Sequence, residues 1–308
     1  MINIFESISK RLAEAWRSEE PSGRGYKYRC QCGRAIFFRN NLCLGCKSAL
    51  GYEPEEGQAF ALQPGPDTGT WKLHGQEENA PMWRRCENFD SPAGCNWLVM
   101  VDEESLCRSC RLNRTIPNLD DADNCRWWRL IENAKRRLVA QLLDLGLPVV
   151  SKVSDDPEHG VMFYIVRSPE KGPRILTGHA NGLITLNVEE ADDSKREKTR
   201  QELREPYRTL LGHFRHEIGH YYWDRLVAGT HWHEKFRELF GDERQDYSAA
   251  LKKNYEKGPA SATLWRHGDA ARLDTAAARS ATLGQRSFAR LTSRLKRRVS
   301  HANLDLGT

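Results

Sequence analysis

Apolar positions change period along this chain, and the changes mark its elements. Ile4, Phe5, Ile8, Leu12 and Trp16 recur at helical spacing among charged residues, which predicts a short amphipathic helix within an N-terminal extension, residues 1–26. Two short apolar runs, Ala35–Phe38 and Asn96–Val101, read as strands. From about Asn124 to Leu145 the spacing is helical again, with Trp128, Ile131, Leu138, Leu142 and Leu145 on one stripe. Asp121 or Asp123 caps this helix, and Gly146 and Pro148 end it. Residues 160–166 (GVMFYIV) and 182–188 (GLITLNV) are β-branched and aromatic and predict strands between Gly- and Pro-rich loops. The charged stretch 189–205 reads as a solvated connection or helix. A further helix follows, with Pro206 in its first turn. Leu211, Phe214, Ile218 and Tyr222 mark its apolar face, and His213, His216, His220 and Asp224 mark another stripe. The order of elements predicts an α+β protein.

Composition narrows this picture. With 308 residues, 39% hydrophobic and 29% charged, the chain is of the globular class, and its length suggests roughly two domains. No apolar run is long enough for a transmembrane helix, and the N-terminus has no apolar signal core. A cytoplasmic protein with no membrane partner is expected. The tail 259–308 holds nine Lys and Arg against three Asp and no Glu, so the net charge of +5 lies there and the rest is near neutral. The tail is therefore weak support for a nucleic-acid partner.

Nine cysteines are the strongest compositional signal. In a reducing compartment, paired Cys spacings point to metal. Cys30 and Cys32 form one pair, and Cys43 and Cys46 a second. Two tight turns, each giving two sulfurs, supply the tetrahedral thiolate corners that zinc prefers. This is the pattern of a zinc ribbon. Cys86, Cys95, Cys107 and Cys110 form a second set of four, with a looser opening pair. Cys125 stands apart and reads as a small buried apolar residue. Structural zinc contributes directly to folding. Beyond that, such ribbons bind protein, bind nucleic acid, or brace a neighbouring domain.

The stretch His216-Glu217-Ile218-Gly219-His220 carries the other chemistry. On a helix, residues i and i+4 share a face, so two imidazoles so placed can bind one zinc ion. The intervening Glu217 is then positioned as general base toward a zinc-activated water, returning the proton to the leaving amine. His213 extends the stripe as a cleft-lining or supporting group. Asp224 is placed to orient His220 or to remain a surface acid. Tyr221 and Tyr222 either offer a hydroxyl or pack.

The cysteine-rich segment, followed by LLGHFRHEIGHYYWDRLV and FRELFGDERQDYSAAL, resembles a bacterial family of zinc-binding metallopeptidases with an N-terminal zinc ribbon and a zincin-like domain. FFRNNLCLGCKSALGYEPE, LCRSCRLNRTIPNL and LTGHANGLITLNVEEAD carry the same resemblance. It covers roughly residues 27–258 and implies a small mixed sheet over an active-site helix, with peptide hydrolysis as the activity. It also implies a later acidic, aromatic helix carrying a third, carboxylate ligand. After Pro259 this chain has an Ala/Arg/Ser-rich tail with one apolar stripe, Phe288, Leu291, Leu295 and Val299. The abrupt change reads as a frame-shifted or replaced C-terminus, which resequencing across that codon tests. Glu243 and Asp246 are the best remaining carboxylates, with His231 and His233 weaker.

The expected organisation is an N-terminal extension (1–26), a zinc-ribbon region with two four-cysteine sites (27–115), a zincin-like domain (120–258) and a divergent basic tail (259–308). Three zinc ions are expected, two structural and one catalytic, acting on a peptide or protein. The alternative is a catalytically inactive zinc protein whose ribbons bind protein or nucleic acid.

Overall fold

In a computed structural model, the described residues are 28–77, 79–173, 175–202 and 209–240. The expected helix of 1–26, Pro206, Glu243, Asp246 and the tail lie outside them. The fold mixes helix and sheet and divides into two compact units. One comprises Met1–Gly178 with Gly182–Lys195, the other His179–Asn181 with Arg196–Thr308.

The first unit begins with a two-stranded ribbon, β1 (Tyr28–Arg29) antiparallel to β2 (Ala35–Ile36). A five-stranded antiparallel sheet follows: β3 (Leu50–Glu53), β4 (Gln58–Pro64), β5 (Thr70–Leu73), β6 (Trp83–Arg85) and β7 (Leu98–Met100), in that order. The sheet curls until its first and last strands meet. Tyr52 donates its N–H to Asn96 O at 2.9 Å and bridges Trp97. Gly51 makes this approach possible, since a Cβ there would lie 2.6 Å from Leu98 Cδ2. Leu62, Leu73, Trp83 and Leu98 form the core of the sheet. Phe38, Tyr52 and Trp97 pack edge-on or tilted beside it, with centroids 4.6 and 5.1 Å apart along the row.

Sequence periodicity did not reveal β3 to β6. Their period-2 signal is diluted by glycines and by the inward Glu53, 1% exposed, whose carboxylate accepts the N–H of Glu55 at 2.8 Å. The Glu55-Glu56-Gly57 turn, with Gly57 at φ 65°, was the available hairpin signal.

Helix α1 (Ala122–Asp144) matches the expected segment. Asp121 caps it, accepting the Asn124 N–H at 3.0 Å. At its end Gly146 takes φ 70°, its N–H reaches Leu143 O at 2.8 Å, and the Leu147 N–H reaches Leu142 O at 2.9 Å. Those two bonds satisfy terminal carbonyls in the glycine-dependent left-handed cap. Trp128, Ile131, Leu138 and Leu142 are buried as expected, joined by Trp127. Strands β8 (Asn113–Thr115), β9 (Met162–Val166) and β11 (Leu183–Asn187) form a parallel set with β9 in the middle. The last two fall inside the predicted strand segments. Strand β10 (Gly178–Ala180) leads into β11. The charged stretch folds partly as α2 (Asp193–Glu202).

The second unit holds α3 (Leu210–Leu226) and α4 (Trp232–Phe240). Thr209 caps α3, accepting the Gly212 N–H at 3.0 Å. The described helix begins at this hydroxyl cap, and Pro206 lies outside the described residues. Phe214, Ile218, Tyr221 and Tyr222 are buried. Among the described residues, no helix is long and apolar enough to cross a membrane.

Candidate functional site

The first cysteine set sits on two turns. Gly33, at φ 81°, closes the first, where the Gly33 N–H meets Cys30 O at 2.8 Å and the Cys30 N–H meets Arg34 O at 2.9 Å. In the second, Cys43 N–H donates to Ser48 O at 2.9 Å and Lys47 N–H to Cys43 O at 3.0 Å. The turns bring Cys30 Sγ to 3.5 Å from Cys46 Sγ, and Cys32 Sγ to 3.7 Å from Cys43 Sγ. Four thiolates at the corners of a zinc tetrahedron stand about 3.8 Å apart. The set fits zinc, and all nine cysteines are free of disulfides. Cys32 and Cys46 are exposed. Ser48 hydrogen bonds hold the Cys46 thiol down at about 6, whereas burial pushes Cys30 up to about 12.

The second set, Cys86, Cys95, Cys107 and Cys110, is wholly buried, and its four ligand atoms lie within 4.8 Å of one another. Cys95 and Cys107 sulfurs are 3.6 Å apart. The Cys107 N–H points at Cys86 Sγ, 3.4 Å away, and hydrogen bonds from Cys107, Cys110 and Cys95 push the Cys86 thiol far down. Burial pushes Cys95 and Cys107 up. A divalent cation bound here would take all four sulfurs as thiolates and displace their protons. Asn96, next to Cys95, donates to Phe38 O at 2.8 Å and to Asn40 O at 3.1 Å, tying the two sets together. Cys125 is half-buried rather than buried, and its thiol donates to Leu119 O at 2.9 Å.

Helix α3 places the remaining candidates. His216 Nε2 faces His220 Nε2 at 3.1 Å, close to the separation of about 3.3 Å that two nitrogens take on a tetrahedral zinc. Burial, then His220 and His213, hold the His216 imidazolium down to about 4, so the ring is neutral and its nitrogen can bind metal. Glu217 is 4% exposed, and its Oε1 lies 3.4 Å from His213 Nε2, one turn earlier. His213 therefore supports the carboxylate rather than extending the pair of nitrogens.

Asp224 stands 3.9 Å from Nδ1 of His179, a residue the sequence reading passed over. The His179 ring stacks on His220, with centroids 6.3 Å apart, and meets Tyr221 edge-on. His179 sits in β10, remote in sequence from the motif, and only the fold brings it to α3. Tyr222 is buried as packing, with burial raising its phenol. His233 packs on Trp223 and His231 on Trp232, at 5.4 and 4.5 Å. Among the described residues, no third His, Cys, Asp or Glu joins His216 and His220 in a metal-sized group.

Comparison with known proteins gives the family of each region. Residues 27–121 match the model of a zinc-ribbon domain. Residues 124–268 match that of the family described as "Putative zinc-binding metallo-peptidase". Uncharacterized proteins of Mycobacterium bovis and of two Mycobacterium tuberculosis strains are 41% identical over 230 residues. The match spans 74% of this chain and 62% of each relative's length. No solved structure matches the chain. An N-terminal zinc-ribbon domain followed by a domain of the zinc-binding metallo-peptidase family is therefore what this chain carries.

Proposed function

We propose that this chain is a zinc-dependent peptidase that hydrolyses peptide bonds at α3. The observation that carries the reading is the pair of facing nitrogens, His216 and His220, beside a buried carboxylate. A zinc ion held there would supply a Lewis acid for the scissile carbonyl and would lower the pKa of a bound water toward neutrality. His216 and His220, whose Nε2 atoms face each other, would hold the ion. Glu217 takes the proton of the attacking water and delivers it to the leaving nitrogen. His213 fixes the Glu217 carboxylate from one turn away. Glu243 and Asp246, beyond the described residues, are the candidate third ligands. The two cysteine sets hold structural zinc.

The experiment is peptidase assay of the purified chain and of Glu217→Ala on a mixture of unstructured peptides. Hydrolysis that disappears in Glu217→Ala supports the reading, and hydrolysis that survives overturns it. A second reading is favoured by one observation: both cysteine sets are complete, whereas no third ligand joins His216 and His220 among the described residues. In it the chain is an inactive zinc protein whose ribbons bind protein or nucleic acid. Two zinc ions per chain and no Glu217-dependent hydrolysis support that alternative.

A further inference from the structure

Helix α1 buries three charged side chains, Glu132, Lys135 and Arg136, each at most 1% exposed. Two of them neutralise each other. Lys135 Nζ lies 2.7 Å from Glu132 Oε1, and Asn113 on β8 contacts both groups. The third is an odd cation. Arg136 Nη2 donates to Ala93 O at 3.1 Å and to Asn133 Oδ1 at 2.6 Å, both uncharged, while its Nε and Nη1 have no hydrogen-bond partner. Burying an uncompensated guanidinium is costly, so a negative group must lie within electrostatic reach.

The loop that leads to the second cysteine set reaches Arg136. Ala93, which Arg136 grips, is 1% exposed and two residues from the ligand Cys95. Arg129, two turns earlier on α1, donates Nε to the adjacent Pro92 O at 2.9 Å. Burial alone would lower the Arg136 guanidinium, but the charges of Cys95, Glu132, Cys110 and Cys107 raise it instead. Four thiolates around a divalent zinc carry a net double negative charge, buried here with no solvent to screen it.

We infer that Arg136 is the built-in counter-charge of the Cys86–Cys95–Cys107–Cys110 site, so that metal in this site and the docking of α1 stabilise each other. Arg136 acts as a positioning residue through the thiolates. The first set, with Cys32 and Cys46 exposed, has solvent to screen it and needs no such partner. Metal loss or thiol oxidation at the second set leaves Arg136 unpaired under α1. The site thus reports metal status directly to the helix with which the peptidase match begins.

The test compares the zinc-loaded full chain with Arg136→Lys and Arg136→Met. Each is challenged with EDTA, and cysteine exposure is followed by pulsed alkylation and peptide mass spectrometry. Protection of Cys86, Cys95, Cys107 and Cys110 at the start shows that the set is loaded, and alkylation at the start overturns the proposal. Arg136→Met is expected to lose second-set protection about 10- to 100-fold faster than the parent, the usual effect of removing a partner of a metal site. The first set should keep its rate, and Arg136→Lys should stay near the parent. Equal rates in Arg136→Met and the parent overturn the proposal. So does equal acceleration at both sets, or a lysine variant as fast as the methionine one. Should Arg136→Met not fold, hydrogen exchange on the parent decides. Amides of residues 124–144 should lose protection when the second set is stripped, and unchanged protection overturns the inference.

Discussion

His213 Nε2 lies 3.4 Å from Glu217 Oε1, so the general base of the proposed peptidase is held by an imidazole one helical turn before it. The contact fixes which way a carboxylate only 4% exposed can turn. His213→Ala should therefore lower kcat by about 10- to 100-fold while the zinc content and KM stay near their parent values. Steady-state kinetics with metal analysis checks this. Loss of zinc in His213→Ala would instead make His213 a ligand.

Gly51 lets β3 pass close to β7. A Cβ there would stand 2.6 Å from Leu98 Cδ2 and 2.7 Å from Leu98 Cγ, too deep in the side chain for a simple rotation to relieve. Gly51→Ala should cost about 1–3 kcal/mol, the usual penalty of overpacking. A urea titration that shows a lower midpoint with an unchanged slope checks it.

Gly146 closes α1 at φ 70°. Gly146→Ala forces a Cβ into the left-handed region and should cost about 1–2 kcal/mol. Gly146→Asn should cost less, because Asn tolerates that region. Thermal denaturation of the two variants should rank them in that order.

Asp121 caps α1 and pairs with Arg167 at 2.7 Å. The Asn124 N–H and Arg167 hold its carboxyl below the usual range, with the N–H contributing most. A carboxyl whose folded pKa is depressed stabilises the fold fully above the unfolded value of about 4, and loses that contribution as pH falls through the folded value. The melting temperature should accordingly fall on acidification below about pH 4. Asp121→Asn, which keeps a cap acceptor but no charge, should show a smaller fall over the same window. Identical pH profiles would remove Asp121 from the acid transition.

Much of this was legible before folding. The cysteine spacings announced two metal sets because a C-x-x-C turn needs few residues to aim two sulfurs. Helix α1 was legible from cap to cap, since Asp121, the apolar stripe and Gly146 agree locally. The motif helix was legible from its apolar face and histidine stripe, although the Thr209 hydroxyl that caps it was not singled out. Three features were not legible. Strands β3 to β6 are short and interrupted by polar residues that face inward, such as Glu53. His179 reaches α3 only through the fold. The buried Glu132, Lys135 and Arg136 lie outside the apolar stripe of their helix, and their burial depends on Asn113 and on the loop at Ala93.

On the proposed reading, His216 and His220 bind a metal ion that the eight cysteines do not account for. Zinc stoichiometry of the full chain, compared with that of the His216→Ala/His220→Ala double variant, tests it most directly. Three zinc ions per chain are expected in the parent and two in the double variant, with all cysteines of both sets still protected from alkylation. Two zinc ions in both proteins would contradict it.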